Sequence, residues 1–240
     1  MRYKMRNESN FQSQEDAAGK QWNIRYLEKP YLEQEGTEEV RGFVEKYGGE
    51  FKNGKTLDIG CGNGRNLRYL LKQGFDVSGM DLSETALGQL EDKLEEEGIS
   101  TPLTRGSFYN LPYKDESFKA AISNNVFQHN DYEGARRSFS EAARVLKYSG
   151  LFFVSIRSTS RELPKEREDI PDRGITFIPK EGSKASIKIH HYSKEELVDL
   201  AKENGMEILE MREVIREKDE SDPKSERKGH WIVVLRKKEA

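Results

Sequence analysis

One cysteine, Cys61, and four histidines are nearly all the soft-ligand chemistry that this 240-residue chain offers. A single thiol excludes an intrachain disulfide and a zinc cluster built on cysteines, so no structural metal is expected. Long apolar runs are missing too. Hydrophobic residues make up 34% of the chain, and no stretch approaches the ~18 apolar residues of a membrane helix. The opening MRYKMRNESNFQSQEDAAGK lacks the apolar centre of a secretory signal. These absences predict a cytoplasmic protein with no membrane partner. An excess of one charge is also lacking: 40 Lys and Arg stand against 43 Asp and Glu, a net charge of −3. No global basic field would draw in nucleic acid, and a small-molecule partner is expected. Charge itself is abundant, at 35% of residues against about 25% in an average domain. The core must therefore be concentrated in a few apolar segments.

Those segments alternate in period. Residues 1–20 are polar and read as a frayed arm, followed by an aromatic segment with Trp22 and Tyr26 and a helix from Tyr31 to Tyr47, ending before Gly48-Gly49. Thr56 to Ile59 is a short strand, then comes Gly60-Cys61-Gly62-Asn63-Gly64, then a helix with Leu67, Leu70 and Leu71 on one face. A second strand, Asp76 to Met80, ends at Asp81, and Ser83 caps a helix striped by Ala86, Leu87, Leu90 and Leu94. The rhythm continues through a brief strand near Leu103, strands at Ala120–Ser123 and Leu151–Ile156, and the helix between them. Such alternation predicts a doubly wound, Rossmann-like parallel sheet. Residues 157–190 break it, with a charged stretch from Arg161 to Asp172 and a hairpin of Ile175–Ile178 against Ser186–His191 around Glu181-Gly182-Ser183. Ser193 to Glu196 has capping-box spacing and opens a helix, and strands follow at Met206–Val214 and Trp231–Leu235. We expect one domain: an arm and lid helix over 1–50, a core over 51–156, an insertion over 157–190, and a C-terminal helix and strands over 191–240.

The chemistry is concentrated at the first turn. Gly60, Gly62 and Gly64 follow the first strand, where a Cβ would occupy space that a ligand needs, and the next helix start offers free amide protons. Asp81 lies 19 residues after Gly62, where a doubly wound sheet places a carboxylate to accept ribose hydroxyls. A nucleoside site is predicted. The dinucleotide fingerprint wants a third small residue at position 65, which is Arg65 here.

Leu57-Asp58-Ile59-Gly60-Cys61-Gly62-Asn63-Gly64, with Asp81 downstream, resembles the first motif and ribose acid of class I S-adenosylmethionine-dependent methyltransferases. The likeness runs from about Thr56 to Ile156. Continued to Arg65-Asn66, the motif looks like the small methyltransferases of the tellurite-resistance type. The resemblance implies a mostly parallel seven-stranded sheet with an antiparallel last strand, and S-adenosylmethionine as cofactor. It implies that Gly60, Gly62 and Gly64 lie under the methionine part, with Asp58 facing its ammonium. It further implies Asp81 on the ribose, Leu82 and Phe108 by the adenine, and the Asn124 carbonyl beside the sulfonium. Ser107 stands where the family commonly has an acid.

Methyl transfer asks the protein to align and desolvate two reactants, and a base only where the acceptor carries a proton. His129, His190 and Tyr192 are the candidate catalytic residues, with His190 and Tyr192 expected to line the pocket. Trp22, Tyr26 and the 157–190 insertion, with Phe177, are expected to roof it as a lid. In the family that the motif resembles, an Asn-Pro-Pro-Tyr-like signature accompanies methylation of planar amino groups; 124–127 reads Asn-Asn-Val-Phe, so the resemblance implies other acceptors. Two alternatives stay open: a nicotinamide-dependent oxidoreductase, and a cofactor-binding module without transfer activity.

Overall fold

The computed structural model describes residues 17–28, 36–181, 187–222 and 226–239. Helix α1 covers residues 17–28, so the end of the expected arm is helical. Next comes α2 (Glu38–Phe51), capped by the Thr37 side chain accepting from the Val40 amide. Its start differs from the predicted helix, of which Tyr31 and Leu32 lie outside the described residues. Its end differs too: Gly48-Gly49 does not stop it. Gly48 packs where a Cβ would come 3.1 Å from the Phe75 ring, and Phe51, fully buried, carries the helix into the core.

The βα units follow as read. Strand β1 (Lys55–Ile59), helix α3 (Arg65–Lys72), β2 (Asp76–Asp81), α4 (Glu84–Glu96), β3 (Leu103–Arg105), β4 (Phe118–Asn124), α5 (Tyr132–Val145) and β5 (Leu146–Arg157) alternate in order. After the insertion come α6 (Lys194–Glu203), β9 (Met206–Arg216) and β10 (Lys228–Lys237). The seven-stranded sheet has the order β3-β2-β1-β4-β5-β10-β9. Strands β1 to β5 pair in parallel, and the last strand, β10, runs antiparallel between β5 and β9. The chain order reverses across β1 and β4, and such a reversal opens a crevice at the carboxyl ends of the strands.

Alternation along each strand feeds two cores. Leu57, Ile59, Ala121, Phe152 and Val154 face α5 and α6, while Ala120, Ile122, Leu151 and Phe153 face α2, α3 and α4. This is why the strands read as near-continuous apolar runs: both faces are covered.

The insertion forms its own three-stranded sheet of β6 (Arg167–Ile170), β7 (Ile175–Pro179) and β8 (Ile189–His191). The predicted pairing of the hairpin strands is present, with Thr176 opposite His190; Gly182, Ser183 and Ser186 lie outside the described residues. The charged stretch from Arg161 to Asp172 differs from expectation, because it supplies β6 as an edge strand, whose exposed side chains suit charge. Tyr192 anchors this sheet: its hydroxyl donates to the Phe127 carbonyl at 2.6 Å, and its own carbonyl accepts from the Trp231 indole at 2.9 Å.

Phe152 is fully buried between the Phe127 and Phe139 rings, 5.7 and 5.8 Å away. Phe152→Ala should cost about 3–5 kcal/mol in urea unfolding. A loss below about 1 kcal/mol would show that the neighbouring helix closes the gap.

Candidate functional site

A cavity of about 800 Å³ opens at the carboxyl ends of β1, β2 and β4. Its floor is the turn after β1, with Gly60, Cys61, Gly62, Asn63, Arg65 and Asn66. Asp81 and Leu82 form one wall, and Gly106, Ser107, Phe108 and Tyr109 the next. Asn124, Asn125, Val126 and His129 complete the side below β4. Helix α1 brings Trp22, Arg25 and Tyr26 over the top, and the insertion adds Ile178, Ile187 and Lys188.

The turn is held by backbone geometry that glycine permits. Gly60 and Gly62 have φ of 73° and 56°, in the left-handed region that other residues rarely adopt. The space a Cβ would need is occupied by the protein itself. At Gly60 it would strike Val126, and at Gly62 the Tyr26 hydroxyl. The glycines thus admit the roof as well as a ligand. Asp81 locks the turn from β2: its carboxylate accepts from the Gly62 amide at 2.8 Å and the Ser83 amide at 2.9 Å.

Two carboxylates therefore share a buried space. Asp58 lies beneath the turn, 2% exposed, and its Oδ2 has no hydrogen-bond partner among the described residues. Burial, and then the negative field of Asp81, push its carboxyl up to about 7, against the Leu67 amide. Burial raises Asp81 as well, opposed by the amides of Ser83, Gly62 and Leu82. The same surroundings push the Cys61 thiol up, so it is held as a thiol and not a nucleophile. Burial also raises the Tyr26 phenol, with Asp81 adding to it. A cation reaching Asp58, or hydroxyl donors reaching Asp81, would relieve this strain.

Of the predicted residues, Gly60, Gly62, Asp81, Leu82, Ser107, Phe108, Asn124, His129, Trp22 and Tyr26 all line the cavity. Asp58 and Gly64 lie behind the turn, Gly64 as the cap residue of α3. His129 meets the Trp22 ring edge-on at 4.9 Å. His190 and Tyr192 correct the expectation: both are fully buried and neither lines the cavity. His190 is clamped between the Thr176 hydroxyl at 2.6 Å and Glu196 at 3.4 Å, and Tyr192 is spent on Phe127 and Asn130. Strand alternation places them opposite His191, but the face they point from is covered by α5 and α6. Phe177 is likewise buried, against His191, and does not roof the site.

Several lining or supporting residues escaped the sequence reading. Asn23 accepts from the Ser83 hydroxyl at 2.7 Å and the Thr85 amide at 3.2 Å, and Gln89 donates to the Tyr26 carbonyl at 2.9 Å. These bonds dock α1 on the start of α4. The signal was present, since positions 18, 22, 25 and 26 share one helical face. Asn125, with φ of 60°, had no signal: its strain at the end of β4 is a tertiary effect.

Residues 57–154 match the family described as a methyltransferase domain. The chain is 36% identical over 104 residues to sterol 24-C-methyltransferase ERG6B of Gibberella zeae, covering 42% of this chain and 27% of that protein. It is 30% identical over 149 residues to human EEF1A lysine methyltransferase 2, covering 55% and 63%. The chain spans less than half the length of the first curated relatives it matches. Among solved structures, a S-adenosylmethionine-dependent methyltransferase from Methanosarcina mazei superposes with a TM-score of 0.66 at 20% identity, covering 82% of this chain and 98% of that one. The segment 57–154 is thus similar to a methyltransferase domain, and the fold is shared with that solved structure.

Folded Asp58 keeps its proton to about pH 7, whereas an unfolded Asp loses it near about 3.9. The folded chain therefore binds the extra proton in that window, and stability falls as pH rises through it. Melts of wild type and Asp58→Asn should show the wild type losing more stability from pH 4 to 7.5, with the variant the more stable at the upper end. Parallel curves would contradict a charge penalty at Asp58.

Proposed function

We propose that this chain transfers a methyl group from S-adenosylmethionine to a small-molecule acceptor in the cytoplasm. The observation that carries the reading is the pair Asp58 and Asp81 around the glycine turn, at the floor of a roofed cavity that Asp81 lines. The residues present fit the cofactor. An orphaned, buried carboxylate oxygen on Asp58 suits an ammonium, the Asp81 rim suits vicinal hydroxyls, and Leu82 and Phe108 offer apolar faces for a base. Ser107, in place of an acid, leaves the base's amino group to a hydroxyl or to backbone. The roof of α1 and the insertion favour an acceptor small enough to be enclosed, and the tellurite-resistance-like motif agrees with that.

S-adenosylmethionine, when bound, supplies a sulfonium methyl whose carbon accepts an electron pair from the acceptor while the sulfur leaves as a thioether. The protein's part is alignment and exclusion of water. Asn124 and Asn125 present backbone and amide groups at the end of β4, and Trp22 and Tyr26 cover the reacting region. His129 is positioned to accept a proton from an acceptor hydroxyl, amine or thiol. His190 and Tyr192 act at a distance, by holding the insertion in place.

Calorimetry with S-adenosylhomocysteine should show binding, and NAD none; the reverse would favour an oxidoreductase. Near pH 6, S-adenosylhomocysteine should release a proton on binding, read from the buffer dependence of the heat, because its ammonium favours the charged form of Asp58.

Asp81→Ala should weaken S-adenosylhomocysteine by roughly tenfold or more, since a charged hydrogen bond is worth about 1.5–3 kcal/mol. Gly62→Val should abolish binding, because the backbone is left-handed there and Tyr26 fills the space, whereas Cys61→Ser should bind normally. Wild-type affinity in Asp81→Ala would defeat the assignment.

Once an acceptor is found in a methyl-transfer screen, His129→Ala should lower kcat by about 10²–10⁴ with KM for the cofactor unchanged. An undiminished kcat would show that the acceptor needs no base.

A further inference from the structure

Between β4 and α5 the chain runs through residues 125–131, which belong to no helix or strand. His129, half-buried, sits in this segment and lines the cavity. Irregular backbone takes its place from the groups it is bonded to, so the partners of this segment decide where the imidazole stands. Some of its bonds are local: the His129 amide donates to the Val126 carbonyl at 3.0 Å, and the Gln128 side-chain amide to the Asn125 carbonyl at 2.7 Å. At its start the Asn125 amide donates to the Ser155 carbonyl of β5 at 2.8 Å. The Tyr109 hydroxyl reaches the His129 carbonyl at 3.5 Å, which is long for a hydrogen bond.

A set of closer anchors comes from the insertion. At the alternate positions 188, 190 and 192, β8 and the residues flanking it hold the segment along its length. The Tyr192 hydroxyl donates to the Phe127 carbonyl at 2.6 Å and stands 3.1 Å from the Asn130 side-chain amide. The His190 amide donates to the Gln128 carbonyl at 2.8 Å. Lys188 pairs with Asp131, whose other carboxylate oxygen caps α5 by accepting from the Gly134 amide at 2.8 Å. Asp172, between β6 and β7, accepts from the amide of Tyr132, the first residue of α5. From the roof, the Trp22 ring meets the imidazole at 4.9 Å. The backbone on either side of His129 is thus held from β8 and its ring from α1. Lys188 belongs to both structures at once, since it lines the cavity beside Ile187.

We propose that β8 positions His129: Lys188, through Asp131, and Tyr192, through Phe127 and Asn130, fix the imidazole at the end of β4. That His129 acts as a base rests on the methyl-transfer reading; that β8 sets its position does not. The insertion then has a task beyond roofing. The strand that lines one wall of the cavity also sets the group that takes the acceptor's proton, so acceptor and base are aligned by one element. Displacing a reacting group by about 1 Å costs on the order of 10²-fold in rate, and a side chain on an irregular segment keeps its place only as well as its supports do.

The test reads the His129 ring directly, in the full chain carrying isotope-labelled histidine. The four histidines give four sets of ring signals in nuclear magnetic resonance spectra, and the set missing in His129→Gln is that of His129. Its ring protons should be displaced from random-coil shifts by the Trp22 ring current, and Trp22→Leu should remove the displacement. Lys188→Met loses the charge and keeps the stem, while Asp131→Asn loses the charge and keeps a capping side chain. Each should lose at least half of the displacement, and the double variant no more than the larger single loss. Lys188→Arg should retain it, and Tyr192→Phe should lose it through the other anchor. Affinity for S-adenosylhomocysteine should change less than twofold throughout. Phe43→Ala, in the core on the opposite face of the sheet, should melt lower and leave the His129 signals in place. With an acceptor from the methyl-transfer screen, Lys188→Met should lower kcat tenfold or more at unchanged cofactor KM, and Lys188→Arg should recover most of it. Undisplaced His129 signals in the wild type would overturn the proposal. So would signals unmoved in Lys188→Met, Asp131→Asn and Tyr192→Phe, or moved equally by Phe43→Ala, which is the pattern of a merely structural role. Loss of the displacement in a chain that binds no S-adenosylhomocysteine would sink the methyl-transfer reading and leave the positioning role of β8 standing.

Discussion

The site is organised by one carboxylate. Asp81 ends β2 and accepts amide protons from Gly62, in the neighbouring turn, and from Ser83, at the start of α4. Those two bonds tie together the ends of two strands and the beginning of a helix. Ser83 caps α4 by accepting from the Ala86 amide, and its hydroxyl donates a hydrogen bond to Asn23, so the roof helix is attached to the same point. The turn, the wall and the roof of the cavity therefore share one anchor, and a buried charge is its cost.

That cost shapes the rest of the cavity. Asp58 adds a second carboxylate behind the same turn, and both are driven toward their neutral forms by burial. The turn end of the site thus holds two desolvated acids. A cation brought to that end would be held where water is scarce.

The insertion contributes by position more than by contact. Its small sheet is held through His190, Thr176, Glu196 and Tyr192, whose contacts lie away from the cavity, and among the described residues of this region Ile178, Ile187 and Lys188 reach the cavity. His190 illustrates the limit of pattern reading. Alternation showed that His190 and Tyr192 share a face, but which face meets solvent depends on where α5 and α6 lie. Phe177 failed as a roof residue for the same reason. Conversely, the helical face of α1 was written at residues 18, 22, 25 and 26, yet a polar, irregular start obscured it.

Local physics was enough for the βα units, the glycine turn and the register of Asp81, because a strand period, a tight turn and a helix period are properties of neighbouring residues. It was enough to expect an antiparallel last strand only through the family likeness. Tertiary structure alone decided that Val126 and Tyr26 fill the space above Gly60 and Gly62 and that Asp58 keeps an oxygen without a hydrogen-bond partner among the described residues. Those outcomes depend on burial and on charge at a distance, and neither has a period that a linear sequence can display.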